Sequence, residues 1–382
     1  MNIQYYINFK IKLLKLHIML KIRSIAILIL AVLSVTGLFL NIDSNAEYEI
    51  QSEQLSQEDK QVIDSIEKVD PQKPIKNKLK RRGGKIIDTE LSLKKEFREL
   101  DKKINIIKGN NKIEIGTPAE IQNNNITVQE DKIIYESKNN TVDLTVENVE
   151  GGVRQVIVIH DKNQPNRYTF PMKLEEGQKF IKNHDESVKV VDNNEKTILI
   201  ILKPWAKDKD NKDLQTYYEV EDKQIVQYIN FENAVFPISA DPTWCGGQIQ
   251  HSRWKEGDPY TDNETRKKIM DWSMNVKLNW CGRMTASTGC VAFNVLMCAS
   301  GSFGGGWDAW ETAYNMAGPH YRFKERWYGS STYWKMYHQF ICHYANPMTW
   351  FKDEYNIDPW RYNVGQINTY KSLCNPPQDK SY

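Results

Sequence analysis

All six cysteines of this 382-residue chain, and ten of its eleven tryptophans, fall at or after Trp244. No single core can have that composition throughout. The first part must fold without cross-links, while an even cysteine count in the second favours disulfides over metal sites in an oxidising compartment. The length allows two domains with sizeable cores. With 51 Lys+Arg against 49 Asp+Glu the net charge is +2, which argues against a nucleic-acid partner.

Residues 24–40 form an uncharged apolar run preceded by Lys10, Lys12, Lys15, Lys21 and Arg23. This pattern is that of a secretory signal, and Ser44 and Ala46 place cleavage after Ala46. The run is slightly short of the ~20 residues that span a bilayer, so an uncleaved anchor is the alternative. Met19 precedes a basic segment of ordinary length, so Met1 and Met19 are both possible starts. No Cys follows the run and Asn375–Tyr382 carries no apolar tail. The expectation is therefore a secreted chain, extracellular or wall-associated, with no integral membrane domain once mature.

Residues 47–110 read as charged and partly helical. One helix is expected from the N-cap Ser56, with Glu58 and Asp59 in its first turn, to Asp70-Pro71. A second is expected over about 88–104, from Leu93, Phe97, Leu100 and Ile104 spaced by three and four. Between them lies Lys73–Lys85, with seven positive charges and no negative one. It reads as a solvated basic linker, a dibasic processing site at Arg81-Arg82, or a contact with anionic wall polymers. From 111 to 241, short β-rich runs such as Lys132–Glu136, Val142–Val146, Arg154–His160, Lys196–Leu202 and Ile225–Ile229 alternate with Asn, Asp and Gly turns. That is the pattern of an all-β sandwich-like domain. His160 and His184 flank turns and read as surface residues.

In 243–382, residues 271–280 alternate as a half-buried strand would, and Cys290–Cys298 is apolar but ambiguous between strand and helix. The Gly301–Gly306 run lacks the Lys-Ser/Thr of a phosphate loop and reads as a turn. Helices are expected over Trp307–Met316, stopping at Gly318-Pro319, and over Tyr333–Tyr344, ending before Asn346-Pro347. The fold class is thus multidomain: an all-β sandwich-like central domain followed by a disulfide-bonded α+β domain.

The strings Gly151-Gly-Val-Arg-Gln-Val-Ile-Val-Ile, Arg167-Tyr-Thr-Phe-Pro, Lys203-Pro-Trp-Ala and Phe236-Pro-Ile-Ser-Ala-Asp-Pro242 resemble an uncharacterised β-rich module of secreted Gram-positive proteins, and the resemblance implies a domain boundary at its Ala-Asp-Pro end, near Asp241. Met336-Tyr-His-Gln-Phe-Ile-Cys-His-Tyr344, then Tyr355-Asn-Ile-Asp-Pro-Trp-Arg361, then Cys374-Asn-Pro376 occur in that order. They look like the C-terminal signature of the domain-of-unknown-function family numbered 2599, found in secreted Gram-positive proteins. Weaker likenesses at Met274–Leu278, Gly282-Arg283 and Ala309–Glu311 extend the resemblance over about 250–377. It implies export and architecture rather than an activity. It also implies a Cys342–Cys374 disulfide, since those two cysteines lie in the family's motifs. Cys245, Cys281, Cys290 and Cys298 depart from the pattern and are expected to form two more bridges, in one of three connectivities.

Several residues invite chemistry. His338 and Cys342 are four apart on a helix and share a face, whereas Cys342 and His343 do not. His338, His343 and Asp358 are weak catalytic candidates for an acid and base. No His-Glu-x-x-His spacing and no Gly-x-Ser-x-Gly elbow occurs, so neither metal nor cofactor is expected. The Trp and Tyr excess reads as core packing, as a membrane-interface feature, or as sugar stacking, for which Trp327, Trp334 and Trp350 are the candidates. The expected function is non-enzymatic binding at the cell envelope or to wall glycan. The alternatives are an extracellular hydrolase and a secreted antibacterial effector, whose partner would be an immunity protein.

Overall fold

The computed structural model describes residues 47–70, 72–82, 85–90, 93–98, 102–121, 123–137, 141–256, 260–261, 268–269, 272–291, 306–318, 331–346, 349 and 352–377. The expected export segment lies outside them. Residues 49–81 and 85–382 make one compact unit; of a second, 1–48 with 82–84, only Glu47, Tyr48 and Arg82 are described.

Helix α1 (Gln57–Val69) starts as its capping residues dictate. Ser56 Oγ accepts from Asp59 N–H at 2.8 Å and the Asp59 carboxylate accepts from Ser56 N–H at 2.9 Å, satisfying two of the orphan donors of a helix start. Two large antiparallel sheets follow. The first runs in the order 85–90, 93–98, 103–108, 111–116, 167–173, 224–229, 216–221. The second runs 179–182, 188–191, 197–201, 243–245, 152–159, 142–149, 132–137, 123–128, with 238–240 also paired to 152–159. Their facing side chains, among them Ile106, Phe170 and Ile225 from one and Leu144, Val153 and Leu199 from the other, fill one core. The outer face of the second sheet is covered too: Val62 and Ile66 of α1 pack on Ile134, Val156 and Val158. A sheet covered on both sides explains why every residue of 142–149 and 152–159 is buried.

Three expectations need correction here. The helix read over 88–104 is instead the strands 85–90, 93–98 and 103–108. A spacing of four suits a strand as well as a helix, and Leu93, Lys95 and Phe97 all point inward. Lys95, fully buried, hides the alternation because its charge is met by Asp88 at 2.8 Å and by Glu90, with the Val149 carbonyl accepting at 2.9 Å. The basic stretch is likewise no free linker. Lys76 pairs with Glu147 at 2.7 Å, and Asn77 N–H donates to the Asn148 carbonyl at 2.8 Å. Beside it the fully buried Arg154 donates to Glu147 and to Asp70, each at 2.7 Å.

The third correction concerns the boundary near Asp241, which falls inside a sheet. Thr243–Cys245 pairs with both 152–154 and 200–201, and Trp244 is wholly buried in the β core. Cys245 is bridged to Cys281, and around that bridge Val149, Ile200, Leu202 and Trp280 form a small core joining the two regions. Gly151 and Gly152 allow this approach: Gly151 has φ +79, and a Cβ on Gly152 would lie 2.2 Å from the Trp244 carbonyl oxygen.

The C-terminal region is mixed α/β. A three-stranded sheet, ordered 249–256, 272–278, 355–357, packs against helices α3 (Gly306–Ala317) and α4 (Ser331–Ala345). Helix α2 (Trp280–Val291) precedes them and α5 (Gly365–Lys371) follows. Among the described residues no helix is long and apolar enough to cross a membrane.

Candidate functional site

Helix α4 sorts its side chains by period. Tyr333, Met336, Phe340, Ile341 and Tyr344 face the core, while Trp334 and His338, one turn apart, face outward. The core is aromatic: Trp310 is wholly buried, with ring centroids 5.3 Å from Tyr314, 5.6 Å from Tyr333 and 5.6 Å from Phe340. Much of the tryptophan excess is therefore packing, as Trp244, Trp280 and Trp310 show. Among the described residues two indoles stand largely open. Trp307, in the first turn of α3, is 40% exposed and Trp334 is 42% exposed. Their centroids lie 6.2 Å apart with planes at 39°. Tyr337 braces both from beneath, 5.0 Å from Trp307 and 5.7 Å from Trp334. Tyr333 O–H donates to Glu311 at 2.6 Å, locking α3 to α4 and so one indole to the other. His338 continues the row, 6.4 Å from Trp334, its Nδ1 3.2 Å from the Asn363 side-chain oxygen. Partial burial lowers its pKa from the ordinary histidine value.

The signature segments build a clasp behind this surface. Gln339, fully buried, donates to the Asp358 carbonyl at 2.8 Å and accepts from the Asp358 N–H at 2.9 Å. The Asp358 carboxylate accepts from Ser273 Oγ and, at 2.7 Å, from Arg361. Arg361 also donates to the Pro376 carbonyl at 2.8 Å and lies 4.6 Å over the Trp360 ring. Cys342 and Cys374 are disulfide-bonded, tying α4 to the segment after α5. These motif residues hold α4 to the segments at Asp358–Arg361 and Cys374–Pro376.

The three catalytic candidates are not brought into one site. His343 is 2% exposed and stacks on Tyr355 at 5.3 Å, and burial, aided by Lys352 and Arg361, pushes its pKa down to about 3. It is a neutral ring in a core. Asp358 is consumed by the clasp, and His338 faces outward beside Asn363. Cys342, four residues from His338, is in a disulfide and carries no thiol. Trp327, Trp350 and Cys298 lie outside the described residues, as does the side chain of Cys290 on α2. Among the described residues no group of three or more His, Cys, Asp or Glu is arranged to hold a metal.

Two features escaped sequence reasoning. Trp307 opens a helix that the Gly run announces, yet only the fold sets it against Trp334. The second is a charged row on the outer face of the small sheet. Glu354 meets His251 Nε2 at 2.7 Å, the Arg253 guanidinium at 3.1 Å and Asn275 Nδ2 at 3.0 Å. The Asn275 and His251 hydrogen bonds hold the Glu354 carboxyl down at about 2. A partner 103 residues away in the chain leaves no local signal.

Residues 328–377 match the family model described as "Protein of unknown function (DUF2599)". The chain carries a C-terminal DUF2599 domain. The match spans α4, α5 and the three C-terminal motifs at 336–344, 355–361 and 374–376, while Ser273 of the clasp lies upstream of it. It is shorter than the 250–377 expected, although the core it needs includes Met274, Val276 and Trp310 from upstream. No curated protein and no solved structure matches the chain.

Proposed function

We propose that this protein is exported and binds wall glycan at the cell envelope without chemical turnover, through the Trp307–Trp334 surface beside its DUF2599 clasp. The supporting observation is the pair of indoles at 40% and 42% exposure, fixed 6.2 Å apart by the packed tyrosines beneath. Large aromatic side chains gain free energy by burial, so two held half-open side by side support the reading of a ligand surface. Indole faces stack on the apolar faces of sugar rings while their N–H edges serve hydroxyls. Disulfides at Cys245–Cys281 and Cys342–Cys374 suit an oxidising exterior. The test is co-sedimentation of the folded chain with purified peptidoglycan. Wild type should pellet and a Trp307→Ala/Trp334→Ala variant should remain in the supernatant; wild type that stays soluble defeats the reading.

A hydrolytic reading has one observation in its favour, the His251–Glu354 pair, in which a carboxylate orients an imidazole that is still partly exposed. It requires that His251→Ala abolish release of soluble fragments from peptidoglycan while leaving co-sedimentation intact. Equal release by both proteins, or none by either, removes it.

A further inference from the structure

Away from the aromatic surface, an open cleft of about 760 Å³ lies between the turn 108–111, the turn 192–197 and the face of α3 bearing Thr312 and Asn315. That size falls within the ~300–1,000 Å³ of small-molecule sites, and most of the residues that line it are of polar type. Its rim carries four side-chain amides, Asn110, Asn111, Asn194 and Asn315, with Lys108 and Lys196. An amide offers a donor and an acceptor side by side, the complement of paired hydroxyls. Two carboxylates stand nearby, each held by backbone N–H groups. Asp192 Oδ1 accepts the N–H groups of Asn194 and Lys196 at 2.9 and 3.0 Å, and Asp308 Oδ1 accepts Thr197 N–H at 3.3 Å. Lys108 donates to the Thr197 carbonyl at 3.3 Å, which sets its ammonium at the inner wall.

The geometry points to a binding site for an anionic polyol, with its phosphate or carboxylate between Lys108 and Lys196 and its hydroxyls on the four asparagines. Burial pushes Lys108 down to about 8, with Lys196 adding to the shift and Asp308 opposing it. An incoming anion restores the charge that desolvation disfavours, so binding and protonation of Lys108 reinforce each other. This site does not depend on the glycan platform and stands or falls separately from it.

The experiment is calorimetric titration of the oxidised protein with three probes: poly(glycerol phosphate), polygalacturonate and a neutral chitin oligosaccharide. Wild type should bind at least one of the two anionic polyols, and which one tells phosphate from carboxylate as the recognised anion. Lys196→Glu, at an exposed position, should weaken that binding more than tenfold and Lys108→Met about tenfold, the loss of a charge-assisted hydrogen bond. Trp334→Ala should leave it unchanged. Failure of both anionic probes to bind, or binding that survives Lys196→Glu, overturns the proposal. A neutral oligosaccharide that competes for the cleft overturns the assignment of an anion.

Discussion

Replacing Gln339 by Met tests whether the signature residues are a clasp. Met has nearly the same length and volume, so the cavity term is small, but it neither donates nor accepts at the end of the chain. The Asp358 N–H, 2.9 Å from Gln339 Oε1, and the Asp358 carbonyl, 2.8 Å from Nε2, then lose their partner where Gln339 is fully buried. Each buried backbone group left unpaired costs about 1–3 kcal/mol, which gives about 2–6 kcal/mol for the pair. Losing the bond from Gln339 Nε2 to the Lys335 carbonyl, at 3.1 Å, places the result in the upper half of that range. Urea unfolding under oxidising conditions, followed by tryptophan fluorescence, measures the loss as a lower midpoint with an unchanged slope. Peptidoglycan binding at low temperature should persist, because Gln339 does not reach the indole surface. A loss below about 1 kcal/mol would refute the clasp, and so would a stable variant that no longer binds.

Three further outcomes follow from burial and charge. His343 has its pKa depressed from 6.5 to about 3, so the stability it contributes is present above pH 6.5 and is lost as pH falls toward 3. The linkage is worth about 5 kcal/mol, and His343→Phe should move acid unfolding to lower pH when followed by near-ultraviolet circular dichroism. Asp241 has the opposite sign: burial raises it from 3.8 to about 7, so its contribution is full below pH 4 and is lost as pH rises through 7. Asp241→Asn should therefore gain stability relative to wild type at pH 8 by up to about 4 kcal/mol and show no such gain at pH 4, by urea titration at the two values. A fragment starting at Thr243 should not behave as an independent domain. Trp244, wholly buried between strands of the β region, would be bared, with red-shifted emission and self-association on gel filtration.

The sequence carried the parts of this fold whose signals are local. Ser56 and Asp59 marked the start of α1, β-rich runs separated by Asn, Asp and Gly turns marked the strands between 132 and 229, and Gly318 and Asn346-Pro347 marked the ends of α3 and α4. It misread 88–104 because a buried lysine occupied an inward position, and the neutralising Asp88 and Glu90 belong to the neighbouring strand. It set a boundary near Asp241 because Ala-Asp-Pro ends the β-rich module that the chain resembles, yet Thr243–Cys245, just beyond, pairs with strands far back in the chain. Of the two exposed indoles only Trp334 was among the sugar-stacking candidates. Whether a tryptophan is a core residue or an open face depends on what the fold lays over it, and the two cases look alike in composition. The histidines failed for the same reason: His343 has the residue type of a catalyst and the environment of a phenylalanine.

The central claim is that Trp307 and Trp334 together form a glycan-binding face. The most direct measurement is titration of intrinsic tryptophan fluorescence with soluble peptidoglycan glycan strands, for wild type and for each single alanine variant. The account predicts saturable quenching or blue shift in wild type and about tenfold weaker binding for each variant, near 1.4 kcal/mol per stacked ring. No saturable change in wild type, or equal affinity for wild type, Trp307→Ala and Trp334→Ala, would contradict it.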